Sequence, residues 1–243
     1  MLADTLPRQR TLPALAWAGA GALALIVAQL IAVFLYVLGM RLAHPGLSTS
    51  SVLSDNVTIV RVTVISIGPT ILFLWGLTRF RTRAVAGYLA LCWPSLRQFA
   101  ISVVAFVLFM AGLAVFAHLM EPGSDVKFML DIVSAARAAN AIPLMIAAVV
   151  IAAPVGEELV FRGFLYRTLE LKFGGTTAIV VTALGWAVLH IQYSLVGMVA
   201  IFAGGLFFGA IRRYSGSLYL TILMHALWNG FALAGALLML SKP

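Results

Sequence analysis

The chain is built from long apolar runs separated by short polar breaks. Runs 13–39, 57–78, 98–119, 142–172, 175–191, 195–211 and 217–239 approach or exceed the ~20 apolar residues that a helix needs to cross a membrane. They predict an all-α, polytopic transmembrane helical bundle of about seven spans; an eighth, formed from a broken segment, is the alternative count. Segment 84–96 (AVAGYLALCWPSL) is too short to span and, with Tyr88 and Trp93, is expected at the membrane interface. Segment 121–140 carries Glu121, Asp125, Lys127, Asp131 and Arg137 and reads as a polar connection with an amphipathic surface helix. The first run, Leu12 to Met40, is too long for the apolar core of a signal peptide and reads as a retained span. Residues 1–140 therefore form N-terminal spans and connections, and 141–243 a polar-bearing helical core, within one continuous membrane domain.

Composition agrees. The chain has 243 residues, 63% hydrophobic and 10% charged, with mean hydropathy +1.07, whereas a soluble domain is nearer half apolar and one quarter charged. The net charge of +8 would suggest nucleic acid in a soluble protein. Here the basic residues sit at the ends of apolar runs, so no nucleic-acid partner is expected. Placing the N-terminus in the cytoplasm puts Arg8, Arg10, Arg79, Arg81, Arg83, Arg97, Arg167, Lys172, Arg212 and Arg213 inside and only Arg41, Lys127, Arg137 and Lys242 outside, as the positive-inside rule requires. The single cysteine, Cys92, excludes an intrachain disulfide. His44 and His118, near span ends, are expected at the interface. Gly204, Gly205 and Gly209 are expected to let helices approach closely.

Two of the eight acidic residues, Glu157 and Glu158, lie inside the fourth run. An ionised carboxylate at the bilayer centre costs at least ~2.5 kcal/mol on insertion scales, and such residues usually face a protein-lined cavity. His190, His225 and Asn229 lie in later runs. Glu157 is 17 residues before Gly174 and His190 is 15 after Gly175; across a glycine turn both fall ~22–26 Å from the tip. His225 and Asn229, at i and i+4, share one helix face. Glu158 and Arg162 are also i, i+4, acid first, the favourable order for an ion pair, which leaves Glu157 uncompensated. Pro154 and Gly156 weaken the helix beside it.

Three motifs now resemble a known family, the CAAX-processing and bacteriocin-processing (abortive-infection) intramembrane proteases. Glu157-Glu158-Leu-Val-Phe-Arg162 matches its EExxxR motif. Trp186-Ala-Val-Leu-His190 matches FxxxH with Trp in place of Phe. His225-Ala-Leu-Trp-Asn229 matches HxxxN. The likeness covers roughly 142–232.

The resemblance implies hydrolysis of a peptide bond in a membrane-embedded or lipidated substrate, CAAX-type or a peptide precursor. Peptide hydrolysis needs a base for water and donors for the oxyanion. Glu157 is the candidate base. His190 would position the water, and His225 and Asn229 would donate to the oxyanion. Glu158 and Arg162 would orient them. No cofactor is favoured. The alternative chemistry uses Glu157, His190 and His225 as ligands to catalytic Zn²⁺, although no HExxH pair is present. The compact, Ala- and Arg-rich chain suggests a bacterial inner membrane, where prenylated substrates are scarce. The competing class is a non-catalytic membrane scaffold or assembly factor of the same fold. A transporter would call for inverted repeats with paired helix interruptions, and only one interruption, near Pro154, is visible.

Overall fold

A computed structural model describes residues 14–120 and 127–241, and every regular element among them is helical. Six helices are long and apolar enough to cross a membrane: α1 (Ala14–Ala43), α2 (Asn56–Arg81), α3 (Leu96–Met120), α5 (Ile142–Phe173), α7 (Leu195–Ser215) and α8 (Leu218–Met239). Between them lie the amphipathic α4 (Lys127–Ala138) and the short apolar α6 (Gly175–Val188). Residues Glu121, Asp125, Arg8, Arg10 and Lys242, on which part of the charge reading rests, are outside the described residues.

The helix boundaries follow the sequence closely, with one correction. The run 175–191 is not a full span. Its helix has 14 residues, a rise of about 21 Å, against a hydrocarbon core of about 30 Å. It stops because the chain reverses at 189–193, where the His190 amide bonds the Ala187 carbonyl at 2.9 Å. His190 therefore lies in a turn just beyond α6, not within a span.

Direction still alternates. At one end of the bundle the Arg81 guanidinium lies 5.6 Å from the Trp17 ring and 5.7 Å from the Tyr88 ring. There too Arg213 donates to Thr176 (2.9 Å), Gln98 to the Ser215 carbonyl (3.3 Å), and the Ser217 hydroxyl to the Cys92 carbonyl (2.6 Å). At the other end Arg137 donates to the Leu240 carbonyl (3.0 Å), and Arg61 meets Tyr36 and Asp55. The start of α1, the end of α2, the start of α3, the end of α5, the start of α6, the end of α7 and the start of α8 thus share the more basic end.

Segment 84–95 closes that end as a one-turn helix (Val85–Leu89) and an extended strap. Trp93 is exposed there, as expected for the interface. Tyr88 departs from the expectation: it is buried, and its hydroxyl pairs with Thr168 of α5 at 2.8 Å. His44 and His118 are exposed at helix ends.

The core sits around α5, which is buried almost throughout residues 158–169. The N-terminal helices contribute to this core directly, through Leu74, Tyr88 and Phe106. The glycines of α7 act as expected. A Cβ on Gly205 would come within 2.9 Å of the Ala183 backbone, and one on Gly209 within 2.9 Å of Ile179. Their absence of a side chain lets α7 lie against α6.

Candidate active site

The local structure of α5 explains why carboxylates can stand in the middle of it. The helix is wound as a π-helix over Ala147–Ala152 and again over Leu159–Leu165, with one and a half α-turns, Ala153–Glu158, between. Such wide turns are rare and gather at functional sites. The first ends for an identifiable reason. In π register each amide bonds the carbonyl five residues back, as Ala153 does to Ala148. The next amide in the series belongs to residue 154, which is proline and has no N–H. The Val149 carbonyl is therefore left over, and Asn229 of α8 donates to it from Nδ2 at 2.8 Å. Pro154 and Asn229 are thus two halves of one arrangement that ties α8 to α5 beside Glu157.

Glu158 and Arg162 are both fully buried. Arg162 Nη1 donates to Glu158 Oε1 at 2.7 Å, as the i, i+4 spacing predicts. Arg162 Nη2 also donates to the Gly205 carbonyl (3.1 Å), while Arg212 donates to the Arg162 carbonyl (3.1 Å). The same Glu158 oxygen takes a second contact, His225 Nδ1 at 3.1 Å. A carboxylate only accepts, so Nδ1 carries the proton and His225 Nε2 is the nitrogen left for other partners. His225 is held further by Phe208, stacked at 5.1 Å.

His190 is oriented by the same logic. Its Nδ1 lies 2.8 Å from the Trp186 carbonyl, which again only accepts, so Nε2 is its free nitrogen. The Glu157 carboxylate is half-buried and accepts from the Trp186 indole N–H. Trp186 is the common neighbour of the whole group. Its ring meets those of His190 and His225 edge-on, at 5.2 and 5.1 Å, and the Arg162 guanidinium covers its face at 4.8 Å.

Glu157, His190, His225 and Asn229 all line one cavity of about 470 Å³, a size typical of small-molecule sites. Away from these four its wall is mostly apolar, built from α2, α3, α4, α5, α7 and α8. The structure thus brings together all four residues singled out from the sequence, and backs them with Glu158 and Arg162. It does not gather Glu157, His190 and His225 into a metal-holding set: among the described residues no three His, Cys, Asp or Glu side chains are disposed to hold one ion. No step is derived through a metal. The motif identified Trp186 only as a replacement for Phe, and its role as hydrogen-bond donor to Glu157 was missed. The signal was present, since Trp is the only departure from FxxxH and, unlike Phe, carries an N–H.

The helical bundle thus sets a buried carboxylate–arginine pair behind a carboxylate, two oriented imidazoles and an amide on a common cavity. Residues 139–231 match the family model described as Rce1-like, type II CAAX prenyl endopeptidase Rce1-like. Over that segment the chain is similar to CAAX-processing endopeptidases of the membrane. Among curated proteins and solved structures, none matches the chain.

Proposed function

We propose that the protein hydrolyses a peptide bond of a membrane-embedded or lipidated peptide, with Glu157 activating the water. The observation that carries this reading is the single cavity shared by Glu157, His190, His225 and Asn229, each held by a hydrogen bond that leaves one polar atom uncommitted. Glu157 Oε2 takes the indole N–H, so the other oxygen is available to accept a proton from water. His190 Nε2 accepts from the same water and fixes its position. As water attacks, the carbonyl oxygen gains charge. His225, protonated and partnered by Glu158, donates to it through Nε2. With His225 charged, Glu157, Glu158, Arg162 and His225 sum to zero. One Asn229 amide proton is spent on Val149; the second is the other donor to the oxyanion. Glu157 then passes its proton to the leaving amine. Loss of one oxyanion donor costs ~10²–10³ in rate.

The apolar remainder of the cavity suits an apolar side chain or lipid next to the scissile bond. The proposed setting is a bacterial inner membrane with the basic end of the bundle in the cytoplasm. The test uses purified protein in detergent, with and without chelator, on prenylated and unmodified peptides, comparing wild type with Glu157→Ala. Cleavage that needs Glu157 and survives chelation is the expected result. Cleavage lost on chelation and restored by Zn²⁺ would replace this mechanism with a metal one. Equal cleavage by wild type and Glu157→Ala would remove Glu157 from the chemistry.

A further inference from the structure

Glu157 faces two cavities. Behind it, between α1, α2 and α5, lies a second space of about 80 Å³, whose polar lining comes from Gln29, Thr63, Ser66 and Thr70. Thr63, Ala153 and Glu157 line both spaces, so the carboxylate stands in the wall between them. None of Gln29, Thr63, Ser66 or Thr70 lies in the segment that matches the family model.

Four polar side chains on two strongly apolar spans call for an explanation. Thr63, Ser66 and Thr70 are spaced i, i+3, i+7, one face of α2. Ser66 and Thr70 are buried. Each hydroxyl spends its proton on α2's own backbone: Thr63 on the Ile59 carbonyl (2.8 Å), Ser66 on Thr63 (2.9 Å) and Thr70 on Ser66 (2.8 Å). The three oxygens keep lone pairs that no donor reaches among the described residues, and Gln29 makes no side-chain hydrogen bond among them. The second Glu157 oxygen adds another acceptor. The space therefore needs a small donor that can also accept from the Gln29 amide. Water has that chemistry. It occupies ~30 Å³ in the liquid and settles where two to four polar partners meet it, so about two molecules fit.

We propose that this rear cavity is a water site that supplies Glu157 from the side opposite the substrate. The proposal rests on Glu157 being the base. Each turnover consumes one water: an O–H bond breaks, the proton passes through Glu157 to the leaving amine, the hydroxyl stays on the new carboxyl group and the peptide C–N bond is cut. A substrate that fills the large apolar chamber displaces water from it. The rear cavity keeps a water in reach while the chamber is occupied.

The experiment combines a label and a rate on full-length protein in nanodiscs. Radiolytic hydroxyl labelling oxidises side chains beside bound water, and Ile67, in the rear cavity wall, is the reporter. Wild type is compared with Gln29→Leu and Thr70→Val, which change polarity at nearly constant volume, and with Glu157→Ala. The expected result is Ile67 oxidation in wild type that falls several-fold in both variants, together with a drop in kcat of about tenfold, the scale of one lost hydrogen-bonded partner, at unchanged KM. Ile67 left unlabelled in wild type, or labelled equally in all, overturns the water site. Labelling that falls without any change in kcat overturns the supply role. Cleavage that persists in Glu157→Ala overturns the assignment of the base and leaves the water site to be judged by the label alone.

Discussion

Trp186 stands where the family motif has phenylalanine, and the N–H of its larger indole ring is spent on the Glu157 carboxylate. A hydrogen bond to a charged group contributes ~1.5–3 kcal/mol. Trp186→Phe keeps an aromatic ring between His190, His225 and Arg162 but frees Glu157, so kcat is expected to fall about 10- to 100-fold with little change in melting temperature. Equal kcat in wild type and variant would reduce Trp186 to packing. Glu158 and Arg162 behave differently, because both are wholly enclosed. Removing one partner leaves an uncompensated buried charge, which costs ~3–5 kcal/mol. Arg162→Met and Glu158→Leu are each expected to lower stability by that order, and the double variant by much less than their sum; a double-mutant cycle on thermal unfolding measures the difference. The residues themselves were largely legible beforehand. Charges and imidazoles in apolar runs are expensive, so Glu157, Glu158, Arg162, His190, His225 and Asn229 stood out. Gln29, Thr63, Ser66 and Thr70 did not, because Ser and Thr can satisfy their own protons on the helix backbone and so are common in spans for no other reason.

At the scale of elements, α5 carries both glutamates of the candidate site, flanked by its two π-wound stretches. Pro154 removes the amide that would have closed on Val149, and Asn229 takes the vacancy. Pro154→Ala restores a competing donor. The expected outcome is a helix at least as stable but an Asn229 no longer committed to α5, with cleavage reduced by up to about tenfold, the worth of a neutral hydrogen bond. Paired measurements of kcat and melting temperature test this, and a fall in stability with unchanged kcat would contradict it. The sequence showed that the helix weakens near Pro154 and Gly156, but not that it widens into π turns on both sides of the glutamates. Hydropathy reports which residues avoid water, and a change from α to π winding moves no residue between classes. The same limit hid the end of α6. Leu189 and Ile191 extend the apolar run past the last helical residue, so the run predicted 17 residues where the helix has 14.

Seen as a whole, the molecule sorts its charge by end, and that separation was readable from the basic residues at the run boundaries. Cys92 offers a direct check on orientation, being exposed at the more basic end, where it lies beside Gly216. With that end in the cytoplasm, a membrane-impermeant maleimide is expected to label Cys92 in inside-out vesicles and not in intact cells; the reverse pattern would invert the topology. The short α6 has a consequence of another kind. Its apolar length falls about 9 Å short of an average hydrocarbon core, and lipid beside it must pinch to meet it. Pinching is cheap where acyl chains are short and costly where they are long. Bilayer thickness is then a variable in the proposed chemistry: reconstituted protein is expected to be more stable and more active in 14-carbon than in 22-carbon phosphatidylcholine, and a cell that thickens its membrane would slow the proposed cleavage without touching a single residue of the protein.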